Sequence, residues 1–198
     1  MFPLFESVCL LNGEILNSPW HLARFEKSFF SYYGEAPTYS LFQKLSVPKD
    51  FQKDMVKVKI LYNKQHQEYH LQKYEAQNIN TVKLVHTESI DYSLKYSDRE
   101  KLDKLFALRD GCDDVLIVKN GCITDSSYAN IIFFDGSQWF TPKNPLLKGT
   151  CRARLLENND IKEALLHVKD LSRFKGFKLI NAMRDFNMDM ISIEKITA

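Results

Sequence analysis

Three two-residue turn signals each separate a pair of apolar segments in this chain. Asn12-Gly13, Asn120-Gly121 and Asp135-Gly136 all stand between runs rich in apolar residues. Asn-Gly and Asp-Gly are favoured in the tight turns of β-hairpins, because these residues adopt positive φ with little strain. The chain is therefore predicted to build antiparallel sheets.

The first part of the chain predicts an α+β unit. Ser18-Pro19-Trp20 offers a cap and a first-turn proline, apolar residues follow at helical spacing, and Gly34 ends the pattern. Strict alternation in MVKVKILY is typical of a strand that is buried on one face. The predicted elements are strands over residues 5–11, 55–62 and 68–74, a helix over 21–33 and a second amphipathic segment over 39–45.

Turn residues near 76–80 predict a soft domain boundary, after which hairpins dominate. The expected fold class is α+β with two small subdomains: an α+β sandwich over residues 1–76 and a larger, barrel-like, mainly antiparallel sheet with flanking helices over 77–198. The second part predicts helices over 98–109, 149–158 and 161–167, a further helix starting at 172–174, and strands over 115–119, 122–124, 130–134, 138–140, 178–181 and 190–196.

Charge and cysteine content favour a reducing, cytoplasmic location. A formal net charge of +2 over 198 residues gives no strong basic footprint for nucleic acid. The four cysteines, Cys9, Cys112, Cys122 and Cys151, show no metal-site spacing, so they are expected to be buried free thiols and no metal site is predicted. No run approaches the roughly 18 apolar residues of a membrane span, and no leader peptide is recognised.

The segment Leu147-Lys148-Gly149-Thr150-Cys151-Arg152 places a glycine just before a predicted helix. Free amide groups and the helix dipole at such a start favour a phosphate, although a glycine there is more often structural. Arg24 on the first helix is a candidate for a second phosphate ligand. The alternative is that Arg24 is an ordinary side chain on the solvent-exposed face of that helix.

Two further residues are candidates for chemistry. Lys95, in SLKYS, lies between a strand-like segment and a helix, where partial burial would lower its pKa and make it a Schiff-base nucleophile. Most lysines are simply exposed. Asp125 ends a strand, where a carboxylate would pair with a protonated ring nitrogen, but turn-capping aspartates are common.

Taken in order, these residues resemble motifs of the class IV aminotransferases, the fold-type IV pyridoxal-phosphate enzymes that include branched-chain and D-amino-acid aminotransferases and 4-amino-4-deoxychorismate lyase. Each piece alone is loose, and the order makes the resemblance specific. The pieces are Phe5-Glu6-Ser7, Gly13, His21-Leu22-Ala23-Arg24, Lys95-Tyr96-Ser97-Asp98-Arg99, Gly111-Cys112-Asp113-Asp114-Val115, Gly121 through Phe133, Thr141-Pro142 and Gly149-Thr150-Cys151-Arg152.

The resemblance implies roles for these residues around pyridoxal 5'-phosphate. Lys95 would be the Schiff-base lysine and proton shuttle, Arg24 a phosphate ligand, and Asp125 the carboxylate that keeps the ring nitrogen protonated, so that the ring acts as an electron sink. The remaining implied cofactor contacts are Arg99, the backbone amides of Thr150 and Cys151, and Asn181 and Ala182 in a segment that resembles the lyase branch.

The chain departs from the family pattern in three places. Asp125 replaces the usual glutamate, Asp98 replaces the asparagine beside the lysine, and the chain begins close to the Phe5-Glu6 motif, so the small subdomain is expected to be trimmed. Cofactor roles therefore transfer better than substrate roles. Possible ligands for a substrate carboxylate are Lys57, Lys59, Tyr62 and Arg184, each with a structural alternative.

The leading hypothesis is a pyridoxal-phosphate enzyme acting on a small amino substrate, either a lyase or an aminotransferase. A non-catalytic relative that keeps the fold, with or without the cofactor, is the main alternative, and a small nucleic-acid-binding protein is a distant third. The resemblance also implies a homodimer, with no nucleic-acid or membrane partner.

Overall fold

The computed structural model describes all residues from Met1 to Ala198 and divides them into two compact units. The first unit contains Met1–Ala76 and Leu94–Asp98, and the second contains Gln77–Ser93 and Arg99–Ala198. The segment that carries Lys95 therefore belongs to the first unit, whereas the sequence placed it in the second. No helix is long and apolar enough to cross a membrane.

The first unit is a four-stranded antiparallel sheet with the order β2-β1-β3-β4. Asn12 and Gly13 have φ of 50° and 84°, the positive values that a two-residue hairpin turn requires. The predicted strands over residues 55–62 and 68–74 are confirmed within one residue, and they pair with each other. The strands are β1 (Leu4–Leu11), β2 (Glu14–Ile15), β3 (Met55–Tyr62) and β4 (Gln67–Lys73).

Helix α1 (Ser18–Tyr33) packs on one face of this sheet and ends at Gly34, which has φ of 75°. Phe25 and Phe29 of α1 are buried, and the ring of Phe25 meets that of Tyr62 on β3 at a centroid distance of 5.0 Å. The alternation of β3 sends its even-numbered residues into this core. The predicted α+β organisation of the first unit is confirmed.

Residues 39–45, predicted to be a second amphipathic segment, form turns and no regular helix. Side chains of β4 take the carbonyl groups that a helix would use: Gln67 Nε2 donates to the carbonyls of Ser40 and Leu41, each at 3.2 Å, and Tyr69 Oη donates to that of Leu41 at 3.0 Å. Leu41 itself is fully buried. The apolar residues of this segment therefore anchor a loop.

The second unit is built on a mixed sheet with the order β10-β9-β8-β7-β6-β5-β13, and β11 pairs with both β8 and β12. The pairs β5–β6, β5–β13 and β9–β10 are parallel, and the other pairs are antiparallel. The strands are β5 (Val82–Thr87), β6 (Asp114–Lys119), β7 (Cys122–Ser126), β8 (Asn130–Phe134), β9 (Trp139–Pro142), β10 (Lys162–Ala164), β11 (Gly176–Ile180), β12 (Ile191–Ser192) and β13 (Ile196–Thr197).

Two of the predicted helices of the second unit are confirmed, with slightly different ends. Helix α2 covers Glu100–Ala107, and helix α3 covers Thr150–Glu157, directly after Gly149. The core of this unit includes Leu116, Phe133 and Phe177, which are fully buried. The α+β class expected from the sequence is therefore confirmed for the whole chain.

The prediction of a helix over residues 161–167 was wrong. Lys162–Ala164 is strand β10, and backbone amides distant in sequence bind carbonyl groups of the 161–167 segment: Lys143 N donates to Ala164 O at 2.9 Å, and Ile123 N donates to Leu166 O at 2.8 Å. Residues 172–174 stand at the end of a 3-10 helix, Val168–Arg173, not at the start of a helix. The predicted strand over 190–196 is split into β12 and β13 by a 3-10 helix, Ile193–Lys195.

All four cysteines are free thiols, but only two of them are buried as predicted. Cys9 and Cys151 are inaccessible, whereas Cys112 and Cys122 are partly exposed.

Candidate active site

Lys95 is held at the edge of the first unit's sheet, beside the start of β1. Its carbonyl accepts a hydrogen bond from Phe5 N at 3.0 Å, and the flanking Tyr96 bridges to Leu4. Its ammonium nitrogen lies 4.8 Å from the centroid of the Phe5 ring, within the range of a cation–π contact. The residue is half-buried.

Arg24 on α1 is bound to a carboxylate that the sequence reasoning did not assign. Arg24 Nε donates to Glu6 Oε1 at 2.8 Å, and Nη2 donates to Glu6 Oε2 at 2.5 Å. His21 Nδ1 also contacts Glu6 Oε2, at 2.7 Å. Glu6 and His21 are fully buried, so a charged cluster stands inside the core between α1 and β1.

The protonation states within this cluster follow from burial and charge. Burial alone would raise the pKa of Glu6, but the charge of Arg24 and the hydrogen bond from His21 outweigh it and lower that pKa to about 2. Burial lowers the pKa of His21, with smaller opposing contributions from Glu6. At neutral pH a neutral His21 therefore donates its Nδ1 proton to an ionised Glu6.

In the second unit, Asp125 is buried at the end of β7 and accepts three hydrogen bonds. Leu146 N and Leu147 N donate to its Oδ2 at 2.6 and 3.1 Å, and Asn130 Nδ2 donates to its Oδ1 at 2.7 Å. Burial raises the pKa of Asp125 to about 6, although these hydrogen bonds and the charge of Arg152 act in the opposite direction. A nearby cation would lower this pKa and stabilise the ionised carboxylate.

The side chain of Asn130 connects this carboxylate to the start of α3, because it binds both Asp125 and Gly149. The first intrahelical bond runs from Ala153 N to Gly149 O at 2.9 Å, so the backbone amides of the first turn precede the helical hydrogen-bond ladder and point out of the helix end. The first turn of α3 contains no acidic residue, and no side chain caps it. This charge distribution suits an anion.

The side chain of Cys151 is not a reactive thiol. Its side chain is fully buried, and burial together with the charge of Asp185 raises the pKa of the thiol to about 12. The thiol therefore stays protonated at neutral pH.

Arg99 and Asn181 bind adjacent carbonyl groups in the turn at residues 127–129, which joins Asp125 on β7 to Asn130 on β8. Arg99 Nη2 donates to Ser127 O at 2.9 Å, and Asn181 Nδ2 donates to Tyr128 O at 3.2 Å. The Arg99 guanidinium also stacks on the Tyr128 ring at 4.5 Å.

Asn181 also shapes its own loop. Its Oδ1 accepts hydrogen bonds from Met183 N at 2.8 Å and Arg184 N at 3.0 Å, and the half-buried Ala182 lies inside this turn. In the second unit, Arg99 and Asn181 thus bind the 127–129 turn, and Asp125 binds Asn130. Thr150 and Cys151 directly follow Gly149, whose amide donates to Asn130, and Ala182 directly follows Asn181.

The four candidate ligands for a substrate carboxylate differ in their accessibility. Tyr62 is fully buried in the core of the first unit, and Arg184 is 7 % exposed with Nη1 donating to Gln77 O at 2.7 Å. Lys57 and Lys59 remain half-buried on the sheet face that α1 does not cover, with Lys59 Nζ 4.9 Å from the Phe5 centroid. Tyr62 is therefore excluded as a substrate ligand.

Sequence reasoning missed Glu6, His21 and Asn130 as functional residues, although all three stand inside the motifs it used. A signal was present for Glu6, which is the one charged residue in the otherwise buried strand LFESVCLL. A carboxylate in such a strand needs a cationic partner. No comparable local signal marks Asn130.

The chain is similar to known proteins over most of its length. The family model described as "Amino-transferase class IV" matches residues 3–188. An uncharacterised protein of Haemophilus influenzae is 40% identical over 185 residues, which cover 92% of this chain and 98% of that protein.

Solved structures show the same fold. The crystal structure of a candidate 4-amino-4-deoxychorismate lyase from Haemophilus somnus 129PT has a TM-score of 0.83 and 34% identity, and the match covers 94% of this chain and 98% of that one. A hypothetical aminotransferase of Mycobacterium tuberculosis, in its PLP-bound form, has a TM-score of 0.78 at 16% identity, covering 98% of this chain and 81% of that one. The matches thus cover nearly all of the first structure's chain and about four fifths of the second's.

Proposed function

The chain belongs to the class IV aminotransferase family, and we propose that it is a pyridoxal 5'-phosphate-dependent enzyme acting on a small amino substrate, with 4-amino-4-deoxychorismate lyase-like chemistry. The observation that carries this proposal is the arrangement in the second unit, where Asn130 links a buried carboxylate, Asp125, to the uncapped start of α3.

The residues present fit the cofactor. A carboxylate offers about four acceptor positions, and Asp125 uses three of them for Leu146, Leu147 and Asn130. One position on Oδ1 is left for a ring N–H, and the raised pKa of the buried Asp125 favours pairing with a cation. The amides of Thr150 and Cys151 supply donors for a phosphate.

The proposal assigns a role to each of the predicted site residues. When bound, the cofactor supplies an electron sink for a carbanion at the substrate α-carbon. Lys95 Nζ would hold the cofactor covalently and would take and return the α-proton. Arg24 would donate to the phosphate, while Arg99, Asn181 and Ala182 would shape the loops that border the ring.

Lyase chemistry is favoured over transamination by the 34% identity to the Haemophilus somnus protein over nearly the whole chain and by the Asn181-Ala182 segment. The two reactions differ in their requirement for a second substrate. A lyase expels a leaving group without a keto acid, whereas an aminotransferase needs a keto-acid acceptor for every turnover.

The test begins with the visible spectrum of the protein titrated with pyridoxal phosphate, followed by borohydride reduction and peptide mapping. We expect one adduct, on Lys95, that is lost in Lys95→Ala and kept in Lys101→Ala, since Lys101 is an exposed lysine on α2. Adducts scattered over exposed lysines would overturn the proposal.

Turnover is measured next, with 4-amino-4-deoxychorismate alone and with amino acid and keto-acid pairs. Product from the first substrate without a keto acid supports the lyase. Turnover that requires a keto acid assigns the protein as an aminotransferase. A specific Lys95 adduct without any turnover favours the non-catalytic relative.

We also propose that the protein works as a homodimer, as the family resemblance implies. Phe30 and Tyr32 on α1, with 60% and 45% of their surfaces exposed, are available for such an interface. Light scattering after size exclusion should give twice the 23.1 kDa of one chain. A monomeric mass at micromolar concentration would contradict it.

A further inference from the structure

Asn130, the first residue of β8, uses its whole amide group to tie three elements of the second unit together. Its Nδ2 donates to Asp125 Oδ1 at 2.7 Å and to Leu147 O at 2.8 Å, and its Oδ1 accepts from Gly149 N at 3.1 Å. The side chain is buried, with 5% of its surface exposed. One amide thus spans the distance from the carboxylate to the residue that opens α3.

A glycine is needed at position 149 because of the space that the Asn130 amide occupies, and not because of the backbone conformation at that position. Its φ of −69° and ψ of 150° are open to any residue. A Cβ atom at Gly149, however, would overlap the Oδ1 of Asn130. The two positions are therefore matched: the absence of a side chain at 149 lets the amide reach the backbone that begins the helix.

Only a carboxamide satisfies both ends of this bridge. A donor must face Asp125 and Leu147, and an acceptor must face Gly149 N. Aspartate at position 130 would set a second carboxylate oxygen against Asp125, which would disfavour ionisation of both groups. Alanine would leave Gly149 N and one acceptor position of Asp125 without their partner inside the protein.

We propose that Asn130 is a positioning residue that couples the two ends of the cofactor site: the carboxylate for the ring nitrogen and the helix start for the phosphate. This inference rests on the proposed function. Asn130 acts through Asp125 and through the backbone of residues 149–151, without touching the reacting atoms. A displaced helix start would weaken phosphate binding even where the ring is still held by Lys95.

The test compares the affinities of the protein for pyridoxal phosphate and for pyridoxal, which lacks the phosphate. The wild-type protein should prefer the phosphorylated form. Asn130→Ala should lose roughly ten- to hundredfold in affinity for pyridoxal phosphate, because buried hydrogen bonds are lost, and its loss for pyridoxal should be smaller. Asn158→Ala, at the exposed C-terminal end of the same helix, is the matched control and should keep the wild-type preference.

A merely structural Asn130 would lower both affinities by the same factor, and that outcome would overturn the inference while leaving the proposed function intact. If the wild-type protein fails to bind pyridoxal phosphate, the proposed function itself fails, which is a separate result. If Asn130→Ala does not fold, Asn130→Ser, which keeps a small polar side chain, takes its place.

A second measurement uses the contact between positions 130 and 149. Gly149→Ala alone should weaken the preference for pyridoxal phosphate because its methyl group displaces the amide. In combination with Asn130→Ala, the methyl group no longer meets Oδ1, so the combined loss should be smaller than the product of the separate losses. Independent losses that simply multiply would contradict the coupling.

Discussion

The carboxylate of Glu6 accepts one hydrogen bond from Arg24 on each of its two oxygens, at 2.8 and 2.5 Å. This bidentate pair fixes the plane of the guanidinium relative to β1, and His21 binds the same carboxylate from one helical turn earlier on α1. The orientation of the proposed phosphate ligand is therefore decided by a residue on another element.

Replacing Glu6 by Gln should destabilise the first unit strongly. The largely buried guanidinium of Arg24 would lose its counter-charge, and removal of one partner from a buried ion pair costs about 3–5 kcal/mol. Chemical denaturation followed by tryptophan fluorescence, in a Trp139→Phe background that leaves only Trp20, would measure the unfolding of the first unit. Glu26→Gln, on the exposed side of α1, should change the free energy of unfolding by less than about 0.5 kcal/mol; an equal effect of the two variants would contradict the importance of the pair.

The contribution of the Glu6 carboxylate to the free energy of unfolding should be lost over a defined range of acidic pH. Its pKa falls from 4.5 to about 2 on folding, so the folded state holds the ionised form more strongly than the unfolded state. The resulting stability, on the order of 3 kcal/mol, is complete above pH 4.5 and is lost as the pH falls towards 2. Unfolding free energies of wild type and Glu6→Gln measured from pH 6 to pH 2 should converge, and a constant gap would count against this assignment.

Asp125 should give the opposite dependence. Burial raises its pKa from 3.8 to about 6, so the folded state binds a proton more strongly, and stability should decline as the pH rises through this window, by an amount on the order of 3 kcal/mol. Denaturation of the cofactor-free protein, followed by Trp139 in a Trp20→Phe background, should show the decline. Asp125→Asn should flatten it.

Saturating pyridoxal phosphate should flatten the same window in the wild-type protein, because a protonated ring nitrogen would hold Asp125 ionised. Pyridoxal phosphate that binds tightly and leaves the slope unchanged would argue against Asp125 as the partner of the ring.

Restoring the glutamate typical of the family at position 125 should weaken cofactor binding rather than strengthen it. Asn130, Leu146 and Leu147 are placed around the shorter carboxylate at 2.6–3.1 Å, and an added methylene in a packed site typically costs about 1–3 kcal/mol. We expect Asp125→Glu to unfold more easily and to bind pyridoxal phosphate less tightly. Tighter binding by Asp125→Glu would show that the surroundings are not adapted to aspartate.

Much of the fold was predictable because its signals are local. The Asn12-Gly13 turn, the alternation of residues 55–62 and the Gly34 stop each depend on the dihedral preferences or periodicity of neighbouring residues. The failures at residues 39–45 and 161–167 share one cause. In both segments, groups distant in sequence take the carbonyls that an isolated helix would have bonded internally.

The site divides in the same way. Lys95, Arg24, Asp125 and the Gly149 helix start were proposed from ordered motifs, since each motif keeps its own short spacing. Glu6 and Arg24 are 18 residues apart, and Asn130 and Gly149 are 19 residues apart, so no local pattern expresses their pairing.

The sequence by itself determined the α+β class, the positions of most strands and helices, and the residue types on which the proposed chemistry depends, because side-chain periodicity and turn preferences act within a few residues. Only the tertiary structure decided which carboxylate orients Arg24, that Asp125 is buried with three donors already bound, and that one amide joins it to the start of α3. Those outcomes depend on strand register and helix packing, which bring distant residues within hydrogen-bonding distance.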